Sequence, residues 1–172
     1  KKLYEVDSPV RTQPAKDIDV LELLARIHRF IHDIKDHEQP IVLVIEDDTD
    51  FKEDISLELI ESGLYVFTAE DGFEGIELAK AIKLDAVVSD IHMPRKDGIT
   101  VLQELREMDK DLPVFIVTGA FPGDPITDPE GTLEIACQEI GISGFFRKPL
   151  SMSSLVDSVI SVTKSRRMFT QE

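Results

Sequence analysis

Five short apolar runs alternate with segments of helical periodicity, and this alternation limits the possible fold more than any other feature of the 172-residue chain. The runs that predict strands are Ile41–Ile45, Leu64–Thr68, Asp85–Ser89, Pro113–Val117 and Gly144–Phe146. The segments that predict helices are Phe51–Glu61, Gly72–Ile82, Ile99–Met108, Leu133–Ile140 and Ser151–Thr163. Short apolar strands alternating with helices are typical of a parallel sheet covered on both faces. Because crossovers in such sheets are right-handed, the sequence predicts a doubly wound, five-stranded α/β domain over residues 40–165.

A different pattern precedes this domain. Residues 1–16 contain Pro9 and Pro14 and show no periodicity, so we interpret them as a tail or linker. Residues 17–39 predict an added N-terminal amphipathic helix, with an apolar seam at Val20, Leu24, Ile27, Ile31 and Ile34. The seam could dock on the α/β core or pair with its own copy; we favour a homodimer or an inter-domain signalling helix through residues 17–37. Residues 166–172 are predicted to form a C-terminal tail.

The charge of the chain argues against two classes of partner. With 34 acidic and 19 basic residues, the chain carries a formal net charge of −15. A field of that sign repels phosphate backbones and anionic lipids, so we expect neither direct nucleic-acid binding nor a membrane partner. No apolar run reaches membrane-spanning length. The single cysteine, Cys137, fits a reducing compartment, and we expect a cytoplasmic protein.

Polar side chains follow four of the predicted strands: Glu46, Asp47, Asp48, Asp90, Thr118 and Lys148. In doubly wound sheets, functional groups lie at the carboxyl ends of the strands. Clustered carboxylates repel one another unless they bind a cation or one is protonated, and carboxylate oxygens suit Mg²⁺. A carboxylate, Mg²⁺, a hydroxyl and a lysine suit a phosphoryl group carried on an aspartate, with Asp90 as nucleophile. Acidic residues after strands can also be solvated turn residues or helix caps, an interpretation that suits Asp50 or Asp54.

Four segments resemble the receiver domain of bacterial two-component response regulators: VLVIEDD, VVSDIHMPRKDG, PVFIVTG and GFFRKPL. The resemblance covers about residues 41–165 and implies a flavodoxin-like sheet of strand order 2-1-3-4-5. It also implies that Asp90 accepts a phosphoryl group from a sensor histidine kinase or a phosphotransfer protein. For Mg²⁺, it implies that Asp47 and Asp90 are direct ligands, that Glu46 acts through water, and that His92 contributes its backbone carbonyl.

The same resemblance implies a set of switching residues. Thr118, with Gly119, and Lys148 would contact the phosphoryl group, and Phe145 would be the switch aromatic that follows Thr118. The Lys148–Pro149 bond would be cis. His92 and Ala120, each two residues after a site residue, would tune the access of water for slow self-dephosphorylation. The fourth helix, fifth strand and fifth helix would then present a changed face to a downstream protein effector.

Two departures from the family pattern and two alternative functions qualify this interpretation. The segment Ala120–Gly131 is longer than usual and holds three prolines and two glycines, and Phe145 lacks the hydroxyl of a tyrosine.

One alternative is a Mg²⁺-dependent aspartyl-phosphate phosphatase, which would place an aspartate where this chain has His92 and its nucleophile on the first strand. The other is an interaction scaffold that is never phosphorylated. We expect a signalling switch rather than an enzyme.

Overall fold

The computed structural model of the protein describes residues 39–169. Its centre is a parallel sheet of five strands in the order β2-β1-β3-β4-β5, which confirms the predicted fold class and strand order. The strands are β1 (Ile41–Ile45), β2 (Tyr65–Ala69), β3 (Ala86–Ser89), β4 (Val114–Thr118) and β5 (Gly144–Arg147). The helices are α1 (Thr49–Glu61), α2 (Gly72–Ala81), α3 (Gly98–Met108), α4 (Leu133–Ile140) and α5 (Met152–Phe169).

The continuous apolar runs arise because helices cover both faces of the sheet. Successive side chains of a strand point to opposite faces, so β1 divides its residues between two cores. Leu43 and Ile45 join the core beneath α2, α3 and α4, whereas Val42 and Val44 join the core beneath α1 and α5. All five residues of β1 are buried, which explains why the strand lacks the polar alternation of a half-exposed sheet.

Aspartates fix the start of three helices. Asp48, Asp71 and Asp97 precede α1, α2 and α3, and each accepts a hydrogen bond from a backbone N–H in the first turn. Such caps satisfy donors that have no partner inside the helix. At α1 the cap follows the site residues Glu46 and Asp47 directly, so it also fixes the direction in which the chain leaves the sheet.

The C-terminal helix is longer than predicted. We expected a tail from residue 166, but α5 continues to Phe169. Its last turn is held by ion pairs: Arg167 Nη2 lies 2.9 Å from Asp85 Oδ2 and donates to the carbonyl of Gln39 at 2.6 Å. Arg166 pairs with Asp109. Both carboxylates are distant in sequence from α5, so the local apolar pattern, which ends at Thr163, did not reveal this part of the helix.

The N-terminal predictions lie almost entirely outside the described residues. The tail 1–16 and the predicted helix 17–39, apart from Gln39, belong to the part of the chain that the structure does not describe, as does its apolar seam of Val20, Leu24, Ile27, Ile31 and Ile34. Among residues 39–169, no helix combines the length and apolar character needed to cross a membrane.

Candidate functional site

The strand order brings the predicted residues to one edge of the sheet. β1 pairs with β3 in a register that places Ile45 beside Ser89, so the residues that follow them, Glu46 and Asp90, are neighbours. The backbone N–H of Asp90 donates to the carbonyl of Ile45 at 3.0 Å, which continues the ladder to the site. Thr118 ends β4, next to β3, and its carbonyl accepts from the N–H of Lys148 at 2.8 Å.

Three carboxylates form the acidic part of the site. Glu46, Asp47 and Asp90 each place a carboxylate oxygen within 4.8 Å of the other two. Glu46 and Asp90 are buried, 2% and 6% exposed, whereas Asp47 faces solvent. Asp48, which also follows β1, turns away and caps α1 by accepting from Phe51 N–H at 3.0 Å. Three clustered hard oxygen donors, one of them open to water, fit a divalent cation such as Mg²⁺.

Lys148 provides the positive charge of the site. Its Nζ lies 2.8 Å from Glu46 Oε2 and 3.0 Å from Asp90 Oδ2, so one ammonium bridges two of the three carboxylates. The Lys148–Pro149 peptide bond is cis, the isomer that the family resemblance implies. The same Nζ lies 4.1 Å from the centre of the Phe51 ring.

Burial and charge shift two pKa values in this group. Burial, with a further contribution from the charge of Asp90, raises the pKa of Glu46 above its ordinary value of 4.5, although the bond from Lys148 opposes the shift. Burial lowers the pKa of Lys148, but its bonds and charge interactions with Glu46 and Asp90 outweigh this and raise it. The two directions agree with the geometry, because Glu46 is almost fully buried whereas Lys148 keeps 23% of its side chain exposed and faces two carboxylates.

The Asp90 carboxylate is held at both oxygens. Oδ1 accepts from the backbone N–H groups of Ile91 and His92, and Oδ2 faces Lys148. Gly98, at the start of α3, approaches the same backbone closely, and a Cβ there would clash with the carbonyl of Asp90. Sequence reasoning assigned no role to Gly98. One oxygen of the carboxylate is thus held by backbone N–H groups and the other by the ammonium of Lys148.

The predicted hydroxyl and its neighbours lie beside this carboxylate. Thr118 is fully buried, and its Oγ1 accepts from the N–H of Ala120 at 3.2 Å and lies 3.4 Å from Nδ1 of the exposed His92. Gly119 is exposed, and a Cβ at Gly119 would meet no atom within 4 Å. The space beside Gly119 is therefore open to a ligand atom.

Phe145 lies in β5, which is separated by β4 from the strand that precedes Asp90. It is half-buried, packs on the core beneath α2, α3 and α4, and lies 4.9 Å from the guanidinium of Arg147. Arg147 in turn pairs with Glu134 of α4 at 2.9 Å. These contacts connect the predicted switch aromatic to the α4 side of the molecule.

Comparison with known proteins shows which family has this fold and this site. Residues 42–160 match the model of the response regulator receiver domain, and the chain belongs to that family. The chain is 35% identical over 127 residues to the transcriptional regulatory protein PrrA of Mycobacterium tuberculosis, a match that covers 74% of this chain and 51% of that protein. It is 34% identical over 140 residues to hybrid signal transduction histidine kinase D of Dictyostelium discoideum, covering 79% of this chain and 8% of that one. The chain thus spans about half the length of PrrA and a much smaller part of histidine kinase D.

Solved structures show the same fold. The receiver domain of the Francisella response regulator 1452 is 29% identical, with a TM-score of 0.64 and coverage of 74% of this chain and 99% of that one. The response regulator protein TrrA from Thermotoga maritima, in complex with Mg(2+)-BeF, is 23% identical with a TM-score of 0.62, covering 72% and 99% of the two chains. The second likeness supports the fold alone.

Proposed function

We propose that this receiver domain is a phosphorylation-controlled switch that accepts a phosphoryl group on Asp90, with Mg²⁺, from a sensor histidine kinase or a phosphotransfer protein. The observation that carries this proposal is the bridge from Lys148 Nζ to Asp90 Oδ2 at 3.0 Å and to Glu46 Oε2 at 2.8 Å, at the edge of a three-carboxylate cluster. Asp47 and Asp90 would ligate the metal, Glu46 would act through water, and His92 would add its backbone carbonyl.

The chemistry is an in-line transfer with little covalent work for the protein. An oxygen of Asp90 forms a bond to phosphorus while the bond from phosphorus to the donor histidine nitrogen breaks, and the leaving imidazole keeps the electron pair. Bound Mg²⁺ supplies charge neutralisation for the phosphoryl oxygens. The ammonium of Lys148 would then bind a phosphoryl oxygen in place of Asp90 Oδ2. The side chain would move little, because the phosphoryl group is attached to the same carboxyl group.

The output follows from the added charge. A phosphoryl group brings about −1.5 to −2 charge and strong acceptor oxygens. The hydroxyl of Thr118, with Gly119 beside it, would gain a phosphoryl oxygen as a further partner only in that state. Its movement would let Phe145 shift and bias the face formed by α4, β5 and α5 toward a downstream protein effector. His92 and Ala120 would set how readily water reaches the phosphoryl group, and slow self-dephosphorylation is the only turnover expected.

The test is labelling by radioactive acetyl phosphate in the presence and absence of Mg²⁺. We expect Mg²⁺-dependent labelling of the wild type and none of Asp90→Asn. Asp54→Asn is the matched control, because Asp54 is an exposed carboxylate on α1 away from the cluster. Equal labelling of the wild type and Asp90→Asn would refute the assignment. A wild type that takes no label from acetyl phosphate or a phosphorylated kinase would favour the scaffold alternative.

Three further expectations stay predictions. They are a homodimer through residues 17–37, a cytoplasmic location, and the absence of direct nucleic-acid and membrane partners. The first is tested by the mass of the full chain in solution over a range of concentrations, compared with a variant in which Leu24 and Ile31 are both replaced by glutamate. A concentration-dependent rise in mass of the wild type alone would support the dimer.

A further inference from the structure

The side chain of Phe51 lies over the ammonium of Lys148. Phe51 is in the first turn of α1, and its ring centre is 4.1 Å from Lys148 Nζ. The cap of this helix fixes the position, because Asp48 accepts a hydrogen bond from the backbone N–H of Phe51 at 3.0 Å. The ring is half-buried and packs on the core beneath α1 and α5.

The surroundings of Lys148 Nζ divide into two kinds. Two directions are occupied by carboxylate oxygens, of Glu46 at 2.8 Å and Asp90 at 3.0 Å. A third is occupied by the ring of Phe51. The face of an aromatic ring carries partial negative charge, and a cation within about 6 Å of its centre is attracted to it. The ring also takes the place of water, so it strengthens the attraction between the ammonium and the carboxylates.

We propose that Phe51 is a positioning residue for Lys148. Its ring face holds the ammonium beside Asp90 and so prepares it to take a phosphoryl oxygen. This inference rests on the proposed function. A third carboxylate at this point would compete with the phosphoryl group for the ammonium, and water would screen it. An aromatic face restrains the ammonium without a formal charge, so on this side of the ammonium an arriving phosphoryl group has no further counter-ion to displace.

A purely apolar role for Phe51 makes different predictions. If the ring only fills space between α1 and the sheet, leucine should serve nearly as well and the electron density of the ring should not matter. If the ring holds the ammonium, tyrosine should serve and leucine should not. Progressive fluorination of the ring, which weakens the negative potential of its face with little change in size, should weaken the effect stepwise.

The first experiment measures the contact without any phosphorylation. In the unphosphorylated protein, we expect the ε-methylene protons of Lys148 to resonate upfield of those of exposed lysines because of the ring current of Phe51. The shift should vanish in Phe51→Leu and persist in Phe51→Tyr. Phe73→Leu is the matched control, because Phe73 lies beside a different lysine, Lys96, at 5.9 Å. An unchanged Lys148 signal in Phe51→Leu would overturn the contact.

The second experiment measures the consequence. We expect Phe51→Leu to lower the rate constant for labelling by acetyl phosphate about fivefold, the factor that corresponds to a cation–π attraction of ordinary strength. Chains carrying one, two or three fluorines on the Phe51 ring should fall on a steady decline between wild type and leucine. Rates that do not depend on fluorination would overturn the positioning role. A wild type that takes no label would instead refute the proposed function, and the proton signals would still report the contact.

Discussion

Lys148 is the residue on which the electrostatics of the site depend. Its ammonium bridges Glu46 and Asp90, both of which are nearly buried, while most of its own side chain is shielded. Removing one partner of such a group leaves uncompensated charge in a poorly solvated place, and that usually costs more than the pair itself contributes. The site therefore couples the stability of the unphosphorylated domain to the residue that would contact the phosphoryl group.

For Lys148→Met we expect the free energy of unfolding, measured in urea without divalent cations, to fall by about 2 kcal/mol, since both carboxylates lose their counter-charge. Lys83→Met is the control, because Lys83 is exposed and the structure shows no ion pair for it among residues 39–169. Adding Glu46→Gln to Lys148→Met should recover part of the loss. An unchanged free energy of unfolding in Lys148→Met would show that the carboxylates are already neutralised in another way.

The protonation of Glu46 should make the stability of the domain depend on pH. Burial raises its pKa in the folded protein above the ordinary 4.5, so the folded state binds more protons than the unfolded state just above that pH. Stability therefore falls as pH rises through this window. In Glu46→Gln this loss should disappear. The measurement is the difference in free energy of unfolding between wild type and Glu46→Gln, taken from pH 4.5 upward in EDTA. The wild type should become less stable relative to Glu46→Gln as the pH rises. A difference that does not change with pH would contradict the raised pKa.

The site was partly readable from the sequence at the level of single residues. Glu46, Asp90, Thr118 and Lys148 could be placed together because parallel strands bring their carboxyl ends to one edge. The contribution of Phe51 could not be read in this way. The direction of its ring depends on the cap at the start of α1 and on a lysine that follows the last strand. The spacing of residues along the chain indicates neither the direction of the ring nor its contact with this distant lysine.

The end of α5 is bonded to the residues that begin β1 and β3. Arg167 donates to Asp85 through both Nε, at 3.2 Å, and Nη2, and the same carboxylate accepts from the N–H of Ile41 at 2.8 Å. Asp85 is only 8% exposed. One buried carboxylate thus joins the last helix, the start of β1 and the start of β3, at the edge of the sheet opposite the three-carboxylate cluster.

We expect Arg167→Ala to lower the free energy of unfolding by about 1–2 kcal/mol, because Asp85 loses its charged partner while staying largely buried. Amide hydrogen exchange at Ile41 should accelerate more than exchange in the middle of α2. Lys164→Ala, on the exposed side of the same helix, is the control and should change neither quantity by more than about 0.5 kcal/mol. Unaltered exchange at Ile41 would mean that the Arg167–Asp85 ion pair does not stabilise the start of β1.

The elements themselves were largely predictable, and their ends were less so. A short, continuous apolar run between two helical segments, such as Ile41–Ile45, predicts a buried strand. In the structure β1 has those bounds. The last turn of α5 was missed because its ion pairs are with Asp85 and Asp109, which are distant in sequence. The fourth strand was placed one residue early. Thr118 belongs to β4 because its carbonyl pairs with Lys148, a contact that local propensity does not reveal.

The segment between β4 and α4 shows the same limit. Its length marked it as unusual, but its conformation comes from two aspartates. Asp124 accepts from the N–H groups of Ile126 and Thr127, and Asp128, only 5% exposed, accepts from those of Thr132 and Leu133. These bonds shape the long loop and lead it into α4.

The net charge of −15 on the whole chain and the three-carboxylate cluster both oppose the stability of the folded state. Negative charges concentrated on one compact domain raise its free energy through self-repulsion, most strongly where they lie within a few ångströms of each other. A divalent cation bound at the cluster relieves the local part of this repulsion. Monovalent salt, in contrast, only screens the repulsion between charges spread over the surface of the domain.

Mg²⁺ should therefore stabilise the domain specifically. At a concentration one hundred times the dissociation constant, we expect the free energy of unfolding to rise by about 2.7 kcal/mol, since only the folded state has the site. In Asp47→Asn, the domain without Mg²⁺ should be more stable than the wild type, because one of three mutually repelling charges is gone, and the gain from Mg²⁺ should shrink. Sodium chloride at matched ionic strength separates screening from binding. If sodium chloride stabilised wild type and Asp47→Asn as much as Mg²⁺ does, the cluster would be a region of general negative charge and not a metal site.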